Sequence, residues 1–462
     1  MPQSDDALAS ASAADLAAAV RARSVGALEL ADAAIARIEA LDGPINAVVV
    51  RDFDRALEQA RAVDRVLAAG VDAGLPLAGV PMTVKECFDV AGLPTTFGLE
   101  AFRDYRPAKD AAAVRRLKAA GAVVLGKTNV PTGLADYQTV NPIYGRTNNP
   151  HDLARSPGGS SGGAAAALAA GMVPLELGGD AGGSIRVPAS FCGVYGHLSS
   201  FGIVSLEGHG PPGGGVVVGQ AWAAAGPMAR TAGDLALALS VLAGPEGRAA
   251  KAYGLALPPP RHRRLKDYRV LALTGHPTAS LDGEIAAAIE TLAANLRRAG
   301  AHVARRHDLL PSPARSQALV ERFVEVARAR LPSADGAPPK ATIADWLDCL
   351  REQELIRREW DAFFEVFDVV IAPCFATPAF PQFETPDPWP HHNRTLRIDG
   401  CDVPFAPQTA WPLYAGMPGL PATAAPVGRT GAGLPIGAQF IGPHLEDMTT
   451  IAFAAQVAAA FG

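Results

Sequence analysis

Short apolar runs that alternate with helical stretches are the feature that most restricts the fold of this chain. The runs at 79–84, 122–125, 269–273 and 367–372 are rich in valine, leucine and alanine. Runs of this length are typical of strands that are buried on both faces. The segments between them carry apolar residues at helical spacing. We therefore predict an α/β fold with a central mixed β-sheet that helices cover on both faces.

The chain is long enough for more than one domain, but its sequence shows no boundary. A length of 462 residues with 49% hydrophobic content can bury a large core. Because no proline- and serine-rich linker or charged block interrupts it, we predict one domain over residues 1–462. Within it we expect a helical wrapper at 1–75 and a catalytic core at 76–205. Two insertions, at 206–219 and 312–412, should form substrate loops or a lid. Residues 413–462 should return to the core.

Composition narrows the classes of function. The net charge of −5 is small for this length and no stripe of lysine and arginine is present, so we expect no nucleic-acid partner. Five scattered cysteines without the spacing of a zinc site predict reduced thiols, no metal and a cytoplasmic enzyme. The polar, acidic start lacks the features of a signal peptide. The sequence also has no unbroken apolar run of about 18 residues, so we expect no membrane span. We therefore expect a small-molecule substrate. The sequence leaves open whether the protein forms a homodimer.

Two serines flanked by glycines carry the strongest chemical signal. The first lies in Gly-Gly-Ser-Ser-Gly-Gly at 158–163, and the second lies in Gly-Asp-Ala-Gly-Gly-Ser-Ile-Arg-Val-Pro-Ala at 179–189. Upstream, Lys85 directly follows an apolar run. Glycines let backbone N–H groups face a substrate, and a serine with a lysine as the base is a known variant of the hydroxyl nucleophile.

These motifs together resemble the amidase signature hydrolases, which cleave amide, anilide, ester and sometimes carbamate bonds. The similarity is densest from about Leu77 to Ser205. Asn-Val-Pro at 129–131, Asn-Pro-Ile-Tyr-Gly at 141–145 and Asn-Asn-Pro at 148–150 are similar to the branch of fatty acid amide hydrolase. The resemblance implies the same α/β architecture and no cofactor.

The resemblance also implies a role for each of the three groups. Ser184 would be the nucleophile, Ser160 would carry the proton, and Lys85 would be the base. It further implies a cis peptide bond between Gly159 and Ser160. A lysine accepts a proton only when it is neutral, so Lys85 must be buried to lower its pKa, and activity should rise toward alkaline pH.

The Ser184 motif predicts backbone groups that bind the substrate, and the segment before the Ser160 motif offers candidates for the substrate pocket. We expect the N–H groups of four residues to stabilise an oxyanion: Ala181, Gly182, Gly183 and Ser184. Two charged side chains should hold this backbone in place, namely Asp180 and Arg186. Three residues are candidates for the substrate pocket, with core packing as the alternative: Leu134, Ala135 and Tyr137.

Two further motifs allow other interpretations. Residues 121–128 match the phosphate-loop pattern, although Val-Val-Leu in its middle is typical of a strand. Residues 158–162 match the nucleophile elbow of α/β-hydrolases, which would make Ser160 the nucleophile. Because 148–157 is turn-like rather than a strand, we favour Ser184.

Departures from the family pattern suggest a specialised branch. Glu86 and Ala181 stand where aspartate and threonine are common, and His197 begins a segment that predicts an altered pocket wall. The sequence thus predicts a serine hydrolase that cleaves small-molecule amides or anilides, with carbamates (urethanes) or esters as further substrates. The alternatives are a subunit of the glutamine-amidotransferase type or one that is catalytically silent.

Overall fold

The computed structural model describes residues 8, 10–70, 74–211, 221–328, 341–384 and 393–462. Parts of the predicted wrapper and of the two insertions lie outside these residues: 1–7, 71–73, 212–219, 329–340 and 385–392.

One mixed sheet of eleven strands forms the centre of the described structure. The strands in spatial order are β1 (Val48–Arg51), β3 (Val123–Thr128), β2 (Pro81–Lys85), β6 (Leu175–Asp180), β8 (Ala224–Ala229), β7 (Tyr195–Leu198), β14 (Ala422–Arg429), β15 (Pro435–Ile441), β11 (Val369–Pro373), β9 (Arg269–Ala272) and β10 (His302–Ala304). Strands β3, β2 and β6 are parallel, and the strands from β6 to β11 pair in antiparallel fashion.

Helices cover both faces of this sheet, as the sequence predicts. One face carries α2 (Ala27–Ile45), α5 (Gly162–Ala169) and α6 (Arg186–Cys192). The other carries α4 (Ala112–Ala119), α7 (Ala232–Leu242), α8 (Gly283–Arg298) and α12 (Asp447–Phe461). Residues of β2, β3, β6 and β8 are buried throughout, because helices exclude water from both of their faces. The prediction of a single α/β domain with a covered mixed sheet is confirmed.

The remaining described elements add further helices and two small hairpins to this core. Helices α1 (Ala13–Arg21) and α3 (Phe53–Ala68) belong to the N-terminal segment, and α9 (Pro313–Arg328) and α10 (Ile343–Phe364) pack together. Two small hairpins, β4 (Val140–Asn141) with β5 (Gly145–Arg146) and β12 (Thr395–Ile398) with β13 (Cys401–Pro404), precede the short helix α11 (Ala410–Gly416) along the chain. No helix within the described ranges is both long and apolar enough to cross a membrane.

Local sequence explains where several helices begin. The Ser12 hydroxyl accepts a hydrogen bond from the N–H of Asp15 at the start of α1. Thr342 and Asp345 form a reciprocal capping box at the start of α10. Both arrangements satisfy N–H groups that a helix leaves without a partner in its first turn.

The N-terminal segment is not purely helical, which differs from the sequence prediction. Val48–Arg51 forms the edge strand β1, which pairs antiparallel with β3. The helical period of the flanking residues hid this strand, whose four residues are too few to show a period of their own.

His197 does not line a pocket, so the prediction of an altered wall there is wrong. Its fully buried ring lies in β7, with Nδ1 2.9 Å from Thr423 Oγ1 and Nε2 3.0 Å from Asp447 Oδ1. Asp447 also accepts hydrogen bonds from the N–H and the hydroxyl of Ser200. This network joins the start of α12 to the sheet.

We expect Asp447→Ala to lower the free energy of unfolding by about 3–5 kcal/mol, because it leaves buried partners without an acceptor. The neighbouring residue supplies a control, since Glu446 forms a partly exposed ion pair with Arg261. Glu446→Ala should cost about 1 kcal/mol or less. Urea unfolding of both variants measures the difference, and equal losses would contradict the role of the buried network.

Candidate active site

Lys85 lies at the end of β2 with its amine in the protein interior. The residue is 1% exposed, and Nζ donates hydrogen bonds to Ser160 Oγ at 2.8 Å and to the carbonyl of Gly179 at 2.9 Å. Burial lowers the pKa of Lys85 because a charged amine loses its hydration there, although nearby Cys87 and Asp180 partly oppose the shift. The amine therefore meets the two conditions for a base, which are contact with a hydroxyl and a lowered pKa.

Ser160 follows a backbone segment that has no room for a side chain. The peptide bond between Gly159 and Ser160 is cis, as the resemblance implies. A Cβ at Gly159 would lie 2.1 Å from the carbonyl oxygen of Asp136, so only glycine fits. The N–H of Ser161 donates to the carbonyl of Ser184 at 3.0 Å. The two serine motifs, separate in sequence, are thus in direct backbone contact.

Asp180, the last residue of β6, organises the turn that carries Ser184. One carboxylate oxygen accepts from the N–H of Gly183 at 2.6 Å and the other accepts from the N–H of Ile185 at 3.1 Å. Both oxygens also bind the Arg186 guanidinium, at 3.0 Å each. Burial opposes the charged form, but Arg186 and the two N–H groups hold the pKa of Asp180 below its ordinary value.

The structure corrects the predicted set of oxyanion donors at Gly183. Its N–H is directed to Asp180, so it is not available to a substrate oxygen in this arrangement. Within the described chain, the N–H groups of Ala181, Gly182 and Ser184 take part in no recorded hydrogen bond. Ser184 itself is half-buried, whereas Ser160 and Lys85 are fully buried. Three backbone donors and one hydroxyl therefore remain for a reacting group.

Arg186 anchors this turn to the far end of the chain. The guanidinium is fully buried and donates to the carbonyl of Pro412 at 2.7 Å and to Gln439 Oε1 at 2.5 Å. The amide of Gln439 in turn donates to the carbonyls of Pro373 and Trp411. Gln439 was not a candidate in the sequence, because nothing in its local pattern indicates a contact with a residue so distant along the chain.

The three predicted pocket residues differ in their surroundings. Leu134 and Ala135 are half-buried, and Leu134 packs against the core cluster that contains Phe97. Tyr137 is buried, and its hydroxyl donates to the carbonyl of Gly182 at 2.5 Å. Its ring lies 5.2 Å from that of Phe375 in an aromatic cluster. The polar end of Tyr137 therefore holds the second serine motif.

His209 is a residue at the site that the sequence did not single out. Its ring is 6% exposed, and Nε2 would lie 2.7 Å from a Cβ at Gly179. Neither ring nitrogen has a partner within the described residues, and the ring packs against Phe88. Burial and the nearby Lys85 lower the pKa of His209 to about 3. It is thus a neutral imidazole beside the carbonyl that holds Lys85.

The phosphate-loop pattern at 121–128 folds as a strand. Val123–Thr128 is the buried strand β3, and Lys127 Nζ donates to the carbonyl of Pro94 and to Thr95 Oγ1. A lysine held in this way cannot reach a phosphate at the strand end, so the pattern does not form a nucleotide site. Among the described residues, no group of three or more histidine, cysteine, aspartate or glutamate side chains could hold a metal ion.

The fold and this site define a hydrolase-like arrangement of serine, serine and lysine on an α/β scaffold. The family model described as Amidase matches residues 29–348 and 321–451, which together span most of the chain. The protein belongs to this family, the amidase signature family.

Curated relatives place the chain near one subgroup of the family. A glutamyl-tRNA(Gln) amidotransferase subunit of Moorella thermoacetica is 35% identical over 92% of this chain and 91% of its own length. The protein of the same description from Roseiflexus castenholzii is 36% identical over 92% and 90%. These relatives favour the glutamine-amidotransferase-type alternative over the small-molecule prediction.

Solved structures with the same fold include small-molecule amidases. A bacterial aryl acylamidase superposes with a TM-score of 0.82 at 27% identity, covering 97% of this chain and 96% of that one. Fatty acid amide hydrolase has a TM-score of 0.81 but 20% identity, over 100% and 87%, and so supports the fold alone. The family prediction is confirmed, whereas the comparisons do not single out the branch of fatty acid amide hydrolase.

We expect the rate at which a fluorophosphonate modifies the protein to rise with pH. Only the neutral amine of Lys85 can accept a proton, and its lowered pKa places the rise below the ordinary value of 10.5, with a plateau at higher pH. His209, with a pKa of about 3, does not titrate over this range.

The modification rate at stepped pH, with the fold checked by circular dichroism at each step, measures this profile. Lys85→Arg keeps its charge at every pH, so its labelling should stay slow and should not rise with pH in the way that the wild type does. A rate that is the same from weakly acidic to alkaline pH would contradict Lys85 as the base.

Proposed function

We propose that the protein is a serine amidase that hydrolyses the C–N bond of a small, uncharged amide. Ser184 is the nucleophile, Ser160 transfers the proton and Lys85 accepts it. One observation carries the proposal: the buried Lys85 amine lies 2.8 Å from Ser160 Oγ, while the motif of Ser160 is in backbone contact with Ser184. In the proposed mechanism the proton that leaves Ser184 passes through the Ser160 hydroxyl to the Lys85 amine, whose pKa is lowered by burial.

The reaction proceeds in two halves. Ser184 Oγ forms a bond to the carbonyl carbon as its proton passes to Ser160 and the Ser160 proton passes to Lys85 Nζ. The N–H groups of Ala181, Gly182 and Ser184 stabilise the oxyanion, and each such donor is worth about 3 kcal/mol of barrier. The C–N bond then breaks, and the leaving nitrogen takes the electron pair and the proton from the relay.

Water completes the second half by the same path. It loses a proton to the relay and attacks the acyl-enzyme, which releases a carboxylic acid and restores Ser184. With a carbamate the intermediate is a carbamoyl- or alkoxycarbonyl-enzyme instead. With an ester the leaving atom is oxygen.

The surroundings of the nucleophile support an apolar substrate. Leu413 lies against Gly182, and Pro412 lies against Gly183. The hydroxyl of Tyr137 also lies near Gly182, and its ring belongs to an aromatic cluster. The nearby charged side chains already have partners of opposite charge, since Asp180 binds Arg186 and Asp136 binds Arg394. Aryl or medium-length acyl groups fit apolar walls of this kind better than charged ones do.

We expect a fluorophosphonate to label Ser184, as mapped by peptide mass spectrometry, and the label to disappear in Ser184→Ala. Ser160→Ala and Lys85→Ala should still label at Ser184, but on the order of 10²–10⁴ times more slowly, because the proton has no acceptor. Ser240→Ala is a control, since Ser240 is an exposed residue of α7 whose hydroxyl donates to the carbonyl of Leu237.

Two other results would contradict this mechanism. A label on Ser160 would support the nucleophile elbow. The absence of any label in folded protein would support the catalytically silent alternative.

A second candidate is the glutaminase step of an amidotransferase, which the curated relatives favour. Glutamine carries an α-ammonium and an α-carboxylate, and both need partners of opposite charge when they are buried. This function would also require further protein chains. One solved structure of 31% identity over 98% of both chains, with a TM-score of 0.81, is described as a vestigial protein complex that reveals the evolutionary origins of an s-triazine catabolic enzyme.

We expect the isolated protein to hydrolyse acetanilide, butyranilide or an aryl carbamate, with kcat/KM for glutamine more than about 100-fold lower. The reason is that unpaired buried charges cost several kcal/mol. Release of aniline, phenol or ammonia measures each reaction. Faster turnover of glutamine, or ammonia release only with co-purified protein partners, would establish the second candidate, and light scattering of the same sample tests the homodimer.

A further inference from the structure

Residues 136 and 137 contact both serine motifs at once. The carbonyl oxygen of Asp136 packs on Gly159, directly before Ser160, where a Cβ would be 2.1 Å away. The hydroxyl of Tyr137 donates to the carbonyl of Gly182 at 2.5 Å, two residues before Ser184. This dipeptide therefore touches the backbone that leads into each serine.

A second path joins the dipeptide to the first motif. The carbonyl of Tyr137 accepts from the hydroxyl of Ser156 at 2.9 Å, and that hydroxyl accepts from the N–H of Gly158 at 3.0 Å. Movement of residues 136–137 would thus move Gly158 and Gly159 together with Gly182.

The dipeptide is held by one side chain from a distant part of the chain. Arg394 Nη1 donates to both carboxylate oxygens of Asp136, at 2.8 Å each, and the two side chains are 7% and 1% exposed. The guanidinium also lies over the ring of Phe383, 4.9 Å from its centre. A buried, chelated and stacked arginine of this kind has a fixed position.

Arg394 directly precedes the β12–β13 hairpin, which is itself docked on the core. Its carbonyl accepts from the N–H of Phe405, directly after the hairpin. Leu396, Ile398 and Phe405 pack into the aromatic cluster that contains Tyr137. The ion pair and the apolar contacts therefore link the position of the hairpin to that of residues 136–137.

We propose that Arg394 is a positioning residue that acts through Asp136 and Tyr137 to keep the two serine motifs aligned. The inference rests on the proposed function, because it assumes that proton transfer between Ser184 and Ser160 limits reactivity. It links the docking of the β12–β13 hairpin to the catalytic assembly, since displacement of the hairpin would remove the Arg394 contact from Asp136. A misplacement of about 1 Å can reduce the rate on the order of 10²-fold.

The test compares variants of the full chain by the rate at which a fluorophosphonate labels Ser184. We expect Arg394→Met to label on the order of 10² times more slowly, with the maximal labelling rate lowered more than the reagent concentration that gives half of that rate, because buried Arg394 acts through Asp136. Arg394→Lys should restore part of the rate, since it keeps the charge but loses the planar fork. Tyr137→Phe, which removes only the hydroxyl, should also lower the rate while the protein keeps its melting temperature.

Two control variants separate positioning from general loss of stability. Arg397→Met removes an exposed pair with Asp402 on the same hairpin and should label as the wild type does. Arg230→Met removes hydrogen bonds to the carbonyls of Val173, Leu8 and Ala11, and should lower the melting temperature without slowing the labelling of folded protein.

Each outcome is decisive for one of the two proposals. If the wild type does not label at Ser184, the proposed function fails. If the wild type labels and folded Arg394→Met labels at the same rate, the positioning role is overturned. If Arg394→Met does not fold, Asp136→Asn and Tyr137→Phe decide the question, and wild-type rates in both would overturn it.

Discussion

The burial of one amine beside one hydroxyl is the constraint on which the rest of the site depends. A charged lysine in the interior would be costly, so the protein must either pair Lys85 with an acid or hold it neutral. Its recorded contacts are a hydroxyl and a carbonyl, neither of which carries a full charge. The nearest carboxylate of the second motif is committed to Arg186. The arrangement thus separates the two groups, with the Asp180–Arg186 ion pair below the turn of Ser184 and the Lys85 amine, whose pKa is lowered by burial, beside the Ser160 hydroxyl.

Much of the fold could be predicted because the signals are local. The apolar runs that became β2, β3, β9 and β11 are short and buried, and no other element satisfies that pattern over so few residues. The edge strand β1 escaped prediction because four residues between two helices show no period. An altered pocket wall was expected near His197 because its segment departs from the family pattern, and the contact with Asp447, 250 positions away, left no local signal.

The residues of the candidate site also differ in whether a local sequence signal predicts them. Glycines and serines in a dense motif indicate a reactive backbone turn, and the lysine at a strand end could be paired with them by resemblance. The direction of a single N–H group could not be predicted, so Gly183 was counted among the donors although it binds Asp180. Gln439, His209 and Arg394 lie in unremarkable local sequence, and only the three-dimensional structure brings them to the site.

The contact between Arg186 and Gln439 has a consequence for how the protein is made. Residues 186 and 439 are 253 positions apart, so the turn that carries Ser184 gains its contact with Gln439 only when strand β15 has been added. During synthesis the serine motifs leave the ribosome long before that strand does. A nascent chain that has not yet added β15 therefore carries both serine motifs without the Gln439 contact that supports the turn of Ser184.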